Sequence, residues 1–251
     1  MPLTDNLAMS KIIKPYKNSD ATKKTQVADM FNNISGNYDG LNRIMTFGID
    51  IQWRKKVVAI VKESQPKNIL DIATGTGDLA IMHSQEMPNA KIIGLDISSG
   101  MLEVGKEKIK TLGLDSSIEM VLGDSENIPY EDNYFDAITV SYGVRNFEDL
   151  NKGLQEINRV LKPGGTFVVL ETSVPTKFPF KQGYQFHSKV LLPLIGGLFS
   201  KDRTAYSYLS ESANSFPYGE KFNEILKENN FHNVIDIPVT FGVSTIYKAI
   251  K

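Results

Sequence analysis

Cysteine is absent from the 251 residues, which removes disulfide scaffolds, thiolate nucleophiles and cysteine-ligated metals from consideration. Histidine is scarce. His83, His187 and His232 stand far apart in the chain, so no metal centre is expected. Neither charge sign dominates: 28 Lys+Arg against 29 Asp+Glu leave a net charge of −1, whereas a dedicated nucleic-acid binder would carry a marked basic excess. No run approaches the roughly 18 apolar residues that a membrane-spanning helix needs. The first residues also lack the apolar core of a secretory leader, so a cytoplasmic protein is the expectation. What is present, 41% hydrophobic and 23% charged residues, is the composition of a soluble globular chain long enough to bury a substantial core.

Residues 1–24 carry five lysines (Lys11, Lys14, Lys17, Lys23, Lys24) against Asp5 and Asp20, and read as a flexible basic arm. The remainder, 25–251, reads as a single domain. It opens with helical spacing (Val27, Met30, Phe31, Ile34; Trp53, Val57, Ile60, Val61), interrupted by a polar and aromatic loop from Ser35 to Asn42. Strands are predicted at Asn68–Ala73, Lys91–Leu95, Ile118–Leu122, Phe135–Ser141 and Thr166–Leu170. Helices are predicted at Asp78–Glu86, Ser99–Thr111 and Asp149–Leu161, the last stopped by Lys162-Pro163-Gly164-Gly165. Strands alternating with helices imply a doubly wound, mostly parallel sheet. Residues 174–216 form an aromatic and basic insert, read as a helical cap, that holds the uncharged run Val190–Phe199. A helix at Tyr218–Asn229 and strands at Val234–Ile237 and Val243–Ala249 close the chain.

Between the first strand and its helix lies Ala73-Thr74-Gly75-Thr76-Gly77-Asp78-Leu79-Ala80, formally a dinucleotide fingerprint, with Asp96 ending the second strand where a ribose-binding acid belongs. Asp71 and Asp78 flank this loop. A pyrophosphate at the helix N-terminus would face both carboxylates, each like-charge contact costing about 4 kcal/mol at ~4 Å and an effective dielectric near 20. A donor with a positive centre and no phosphate, such as S-adenosylmethionine, suits the loop better than NAD. Asp124, at the end of the third strand, is placed to accept from an adenine amine. Asp71, Thr74, Gly75, Thr76 and Gly77 are therefore candidate cofactor residues, together with Asp96 and Asp124.

At these positions the chain resembles the ubiquinone/menaquinone biosynthesis C-methyltransferase family of class I S-adenosylmethionine-dependent enzymes, and within it the demethylmenaquinone methyltransferases. The resemblance rests on Phe31-x-x-Ile34-Ser35-x-x-Tyr38-Asp39-x-Leu41-Asn42, Trp53-Arg54, the glycine loop, Tyr142-Gly143-Val144-Arg145-Asn146-Phe147, Leu161-Lys162-Pro163-Gly164-Gly165 and Glu171-Thr172-Ser173. It runs from about residue 25 to the end. It implies a Rossmann-like α/β domain with a seven-stranded sheet, N-terminal helices and a helical cap. It also implies cofactor contacts at Thr76, Asp96, Asp124, Ser125 and Ser141. Gly123-Asp124-Ser125 departs from the family pattern, where many relatives carry Ala after the acid.

The implied reaction is C-methylation of demethylmenaquinol, the last step in making menaquinone. The alternatives are the same chemistry on a polyprenyl methoxybenzoquinol and, more remotely, a non-catalytic cofactor-binding module. A ring carbon becomes nucleophilic when a neighbouring phenol loses its proton, so a phenolate-stabilising group is required. Arg145 is the first candidate. It cannot serve as the base. Asn146 would orient a water or a ring oxygen, Tyr38 would close over the ring, and His187 has a suitable ordinary pKa. Glu171 reads equally as a base or as a strand-end acid, and Trp53 reads as core. An isoprenoid quinol lives in the bilayer, so transient contact with the inner face of the membrane is expected, with Val190–Phe199 as an apolar lip; a homodimer is compatible with the sequence.

Overall fold

The computed structural model describes residues 13–186 and 203–251. Seven strands form one sheet: β1 (Asn68–Ile72), β2 (Lys91–Asp96), β3 (Ile118–Leu122), β4 (Phe135–Ser141), β5 (Leu161–Thr172), β6 (His232–Val239) and β7 (Ser244–Ile250). Their order is β3-β2-β1-β4-β5-β7-β6, with β7 alone running against its neighbours. Strands β1, β2 and β4 are so apolar because the interior of a parallel sheet is covered on both faces, whereas β3, at the edge, is only partly buried. Alternate residues divide between the two sides. Leu70, Ile72, Ile138, Val140, Phe167 and Val169 share one core with α6 (Leu150–Val160) and with the helix Glu220–Glu228. Ile69, Ile92, Ala137, Val168 and Leu170 share the other with α3 (Asp50–Glu63) and α4 (Asp78–Glu86).

The connections follow the local signals. Ser98 caps α5 (Ser99–Thr111) by accepting from Met101 N, and Asp149 caps α6 by accepting from Lys152 N. Helix α6 stops at Val160, as the Lys-Pro-Gly-Gly run requires, but that run belongs to β5, whose register against β4 shifts between Phe135 and Ala137.

Two expectations are corrected. The segment Ser35–Asn42 is not a loop: a single 3-10 turn, Ser35–Asn37, leads directly into α2 (Tyr38–Met45). Its glycines and asparagines are poor helix formers, and tertiary contacts of Asp39, Leu41 and Arg43 override that preference. The basic arm does not extend to residue 24. Lys23 and Lys24 begin α1 (Lys23–Ile34), and Lys23 is buried, its Nζ donating to the carbonyls of Phe147 at 2.6 Å and Arg145 at 3.1 Å. Helix α1 and α8 (Arg203–Ser215) share a third apolar cluster that includes Val27, Met30, Met101 and Tyr208. Helix α7 (Phe180–Phe186) precedes α8, and Glu220–Glu228 is α9. Val190–Phe199 and His187 lie outside the described residues.

His83, on α4, is fully buried, and neither ring nitrogen has a hydrogen-bond partner. Burial lowers its pKa from 6.5 to about 3. The unfolded chain therefore takes up this proton first, and stability is lost as pH falls from about 6.5 towards 3. We expect the stability of His83→Leu relative to the parent to rise by about 2–3 kcal/mol between pH 7.5 and pH 4.5, read by urea unfolding of both proteins at each pH. Asp71 titrates in both proteins and cancels from the difference.

Candidate functional site

The carboxyl ends of β1 and β4 diverge where the strand order reverses, which is where open α/β sheets place ligands. Ala73 follows β1 at φ 52° and Tyr142 follows β4 at φ 58°. These are left-handed conformations that cost a non-glycine residue about 1–3 kcal/mol and gather at functional sites. The two turns touch. A Cβ at Gly143 would sit 2.5 Å from Ala73 Cβ and 2.8 Å from Val140 Cγ1, so glycine alone fits there. The resulting cleft measures about 690 Å³ out to its mouth, and Gly75, Asp96, Asp124, Ser125, Ser141 and Tyr38 line it.

Its polar groups are arranged for a ligand with a positive centre. Asp96 Oδ2 accepts from Gly75 N and Oδ1 from Ser98 N, each at 2.8 Å. Burial outweighs these bonds and raises the Asp96 pKa. Asp124 accepts from Glu126 N at 2.9 Å and from Lys24 Nζ at 2.6 Å, and Glu126 and Glu148 complete the acidic lining. Ser141 Oγ is buried at the cleft with no partner, a condition that costs roughly 1–3 kcal/mol unless a ligand or water meets it. Four carboxylates, one orphaned hydroxyl and a close backbone approach at Gly75 fit S-adenosylmethionine. They do not suit a diphosphate.

Asp96 and Asp124, expected from the sequence, supply part of this acid surplus, but Asp71 and Asp78 do not line the cleft. Asp71 is 1% exposed and lies beneath the loop, accepting from Thr74 Oγ1 at 2.6 Å and Thr139 Oγ1 at 2.7 Å, with burial raising its pKa to about 6. It ties β1 to β4. Asp78 turns away to Lys108 and Arg43. Thr76 Oγ1 donates to Asp39 at 2.6 Å, and Gly77 supplies the left-handed N-cap of α4 at φ 80°. Asp71, Thr74, Thr76 and Gly77 shape the loop, and Gly75 alone of the loop candidates lines the cleft.

A second, larger cavity of about 2200 Å³ opens beside the first, walled by Trp53, Ile49, Phe180, Tyr184, Phe241 and Val243. Tyr38 and Tyr142 line both spaces. Trp53 is core as read, with Nε1 donating to Thr240 Oγ1 at 2.8 Å.

Arg145, one turn beyond β4, faces the second cavity and pairs with Glu171 on β5. Glu171 is fully buried, and its paired oxygen also accepts from Thr172 N at 2.7 Å. Burial opposes the guanidinium's charge, but Glu171, Tyr38 and Tyr208 together outweigh it and the Arg145 pKa rises. Arg145 Nε and Glu171 Oε2 are both buried without a partner. The Tyr142 ring lies 5.8 Å from the guanidinium carbon, and burial raises its phenol well above the ordinary tyrosine range. Asn146 lines the cofactor cleft and not the larger cavity. Its Oδ1 accepts from Tyr208 OH at 3.1 Å.

Tyr38 is held in place from a distance. Asp39 accepts from Lys108 Nζ at 2.9 Å, Lys108 reaches Asp78, Arg43 joins Asp78 to Asp50, and Arg54 also pairs with Asp50. This chain of charges fastens α2 to the glycine loop. Tyr142 had a signal in the sequence, since it opens the Tyr-Gly-Val-Arg motif. The roles of Lys24, Glu126 and Tyr208 had none, being set by contacts between segments distant in the chain. Among the described residues no group of His, Asp and Glu is arranged to hold a metal.

Comparison with known proteins finds relatives along nearly the whole chain. The demethylmenaquinone methyltransferase of Bacteroides fragilis is 46% identical over 239 residues, covering 95% of this chain and 97% of that protein. The Porphyromonas gingivalis enzyme of the same name is 38% identical, covering 95% and 98%. The ubiquinone/menaquinone biosynthesis C-methyltransferase of Geobacter sulfurreducens is 40% identical, covering 91% and 90%. Among solved structures, an S-adenosylmethionine-dependent methyltransferase from Methanococcus maripaludis superposes with a TM-score of 0.62 at 20% identity, covering 88% of this chain and 94% of that one, and shows the shared fold. The model of the ubiE/COQ5 methyltransferase family matches residues 19–251, and the chain belongs to that family.

Proposed function

We propose that this chain methylates a ring carbon of demethylmenaquinol, using S-adenosylmethionine, to give menaquinol. The observation that carries the mechanism is the buried Arg145–Glu171 pair, with one unmet donor and one unmet acceptor, beside the junction of an acidic cleft and an apolar cavity. S-adenosylmethionine supplies an electrophilic methyl group when bound. Asp96 holds the ribose hydroxyls, Asp124 and Ser125 the adenine edge, and Ser141 the donor's polar end.

The quinol head lies between Tyr38 and Tyr142, with its isoprenoid tail along the apolar walls. Arg145 Nε–H reaches a ring hydroxyl and stabilises the phenolate, so that charge spreads to the ortho carbon facing the methyl group. Glu171 Oε2 is the chain's acceptor for that proton, directly or through one water. Transfer breaks the donor's S–CH3 bond as the new C–C bond forms, leaving the neutral thioether S-adenosylhomocysteine. The ring C–H proton is then lost to solvent and the ring oxygen regains its proton from Glu171, so that one proton is released per turnover. Enclosure of the pair strengthens its electrostatics over their value in water. Fixing the two reactants in line supplies further acceleration. The acidic cleft and the family support the donor; the size and apolar lining of the cavity support a long-tailed quinol. Such a substrate brings the protein to the membrane surface. No helix among the described residues is long and apolar enough to cross a membrane.

The relatives named for both quinones give weight to a second reading, a polyprenyl methoxybenzoquinol. Incubation with methyl-labelled donor and both reduced quinols, followed by product identification, separates the two: label on menaquinol supports the main proposal, and label on the benzoquinol product alone refutes it. Arg145→Lys keeps the charge but loses the guanidinium's fork and is expected to lower kcat at least roughly 100-fold, as loss of an oxyanion donor does, with the donor Kd unchanged by calorimetry. Asp96→Asn should do the reverse, weakening donor binding roughly 10- to 100-fold, the worth of hydrogen bonds to a charged group.

A further inference from the structure

Nine large apolar side chains are exposed among the described residues, and six of them come from three segments around the mouth of the larger cavity. They are Ile44, Phe47 and Ile49 between α2 and α3, Phe178 and Phe180 at the start of α7, and Phe241 between β6 and β7. The others, Leu112, Leu122 and Ile235, come from separate elements. Phe47 is 81% exposed, Phe178 80% and Phe241 67%. The segments converge: Phe180 and Phe241 stack with ring centroids 3.7 Å apart, and Phe47, Ile49, Phe180 and Phe241 line the same cavity.

Two details argue that this face is built for display. Phe47 and Phe241 occupy left-handed backbone positions, at φ 52° and 59°, which are strained for bulky side chains. At Phe241, whose ring is two-thirds exposed, such strain is explained when a partner removes the ring from water. The charges then say what. Lys177 and Lys181 bracket Phe178 and Phe180, both are exposed, and neither has an ion pair among the described residues. No acidic residue occurs in 44–49, 177–181 or 240–242.

We propose that this face seats on an anionic lipid surface, its phenylalanines entering the headgroup boundary and its two lysines resting on the phosphates. Exposed aromatics interleaved with lysine and free of acid suit that partner. A second copy of this chain suits it less well, because two such faces pressed together set lysine against lysine with nothing to neutralise them. On the reading of the cavity as the quinol site, docking places its mouth against the bilayer, and the isoprenoid tail passes from lipid to protein without crossing water.

The test compares the parent chain with the triple variant Lys177→Glu, Phe178→Ser, Lys181→Glu, none of whose positions lines either cavity. Flotation is measured with phosphatidylglycerol-containing vesicles and with pure phosphatidylcholine vesicles. The parent is expected to float with the anionic vesicles, to bind neutral ones at least 10-fold more weakly, and to lose binding as salt rises. The triple variant should lose at least roughly 10-fold in anionic-vesicle binding, since each lysine near such a surface contributes several-fold. Its turnover of a short-tailed, water-soluble quinol should stay within about 2-fold of the parent, while turnover of vesicle-borne long-tailed quinol falls. Equal flotation of parent and variant overturns the proposal. So does a parent dimer in sedimentation equilibrium that the triple variant makes monomeric, since the face is then a protein interface. Flotation needs no turnover, so absence of methylation in the parent strikes the quinol reading and leaves the docking result to stand or fall alone.

Discussion

A guanidinium and a carboxylate taken out of water together dominate the centre of this molecule. Isolated, either charge would carry a desolvation penalty of several kcal/mol, and the pair recovers it only if the remaining polar atoms are met. Arg145 and Glu171 meet one another with a single contact and leave an N–H and an oxygen over. The fold tolerates this because Glu171 sits on β5 and Arg145 on the 3-10 turn just past β4, the neighbouring strand, so both are buried at the carboxyl edge of the sheet. A core optimised for stability alone would fill such a position with apolar side chains. Retaining the charges there makes sense when a substrate completes the network.

Much of the architecture was legible in the chain. Hydrophobic runs too continuous for a half-solvated strand identified β1, β2 and β4, and the boundaries of α4, α5, β3 and β4 coincide with the predicted ones. The acids at strand ends were also legible, because a carboxylate after an apolar run must sit at an edge or be buried at a cost. What sequence position could not convey was direction. Asp71 and Asp78 flank the glycine loop in the chain, yet one is turned under it towards Thr139 and the other towards Lys108. The acidic lining of the pocket comes from Asp96 and Asp124, as expected, together with Glu126 and Glu148, which were not.

Partnerships between distant segments were equally hidden. Lys24 and Asp124 are 100 positions apart, and Asp39 and Lys108 are 69 apart. Nothing in local propensity marks either pair. The same long-range pairings explain why Tyr38–Met45 is helical despite its composition: ions from α3, α4 and α5 clamp it, and Leu41 is buried beneath. Tyr38 therefore owes its position over the cleft to ion pairs made by α3, α4 and α5.

The two hollows share only a pair of tyrosines among the residues discussed, and their rims are of opposite character. One is edged by acids and a lysine, the other by phenylalanines. Traffic is thereby sorted by solubility: the spent donor can be exchanged from the aqueous side while the greasy reactant keeps its berth, and neither has to queue behind the other.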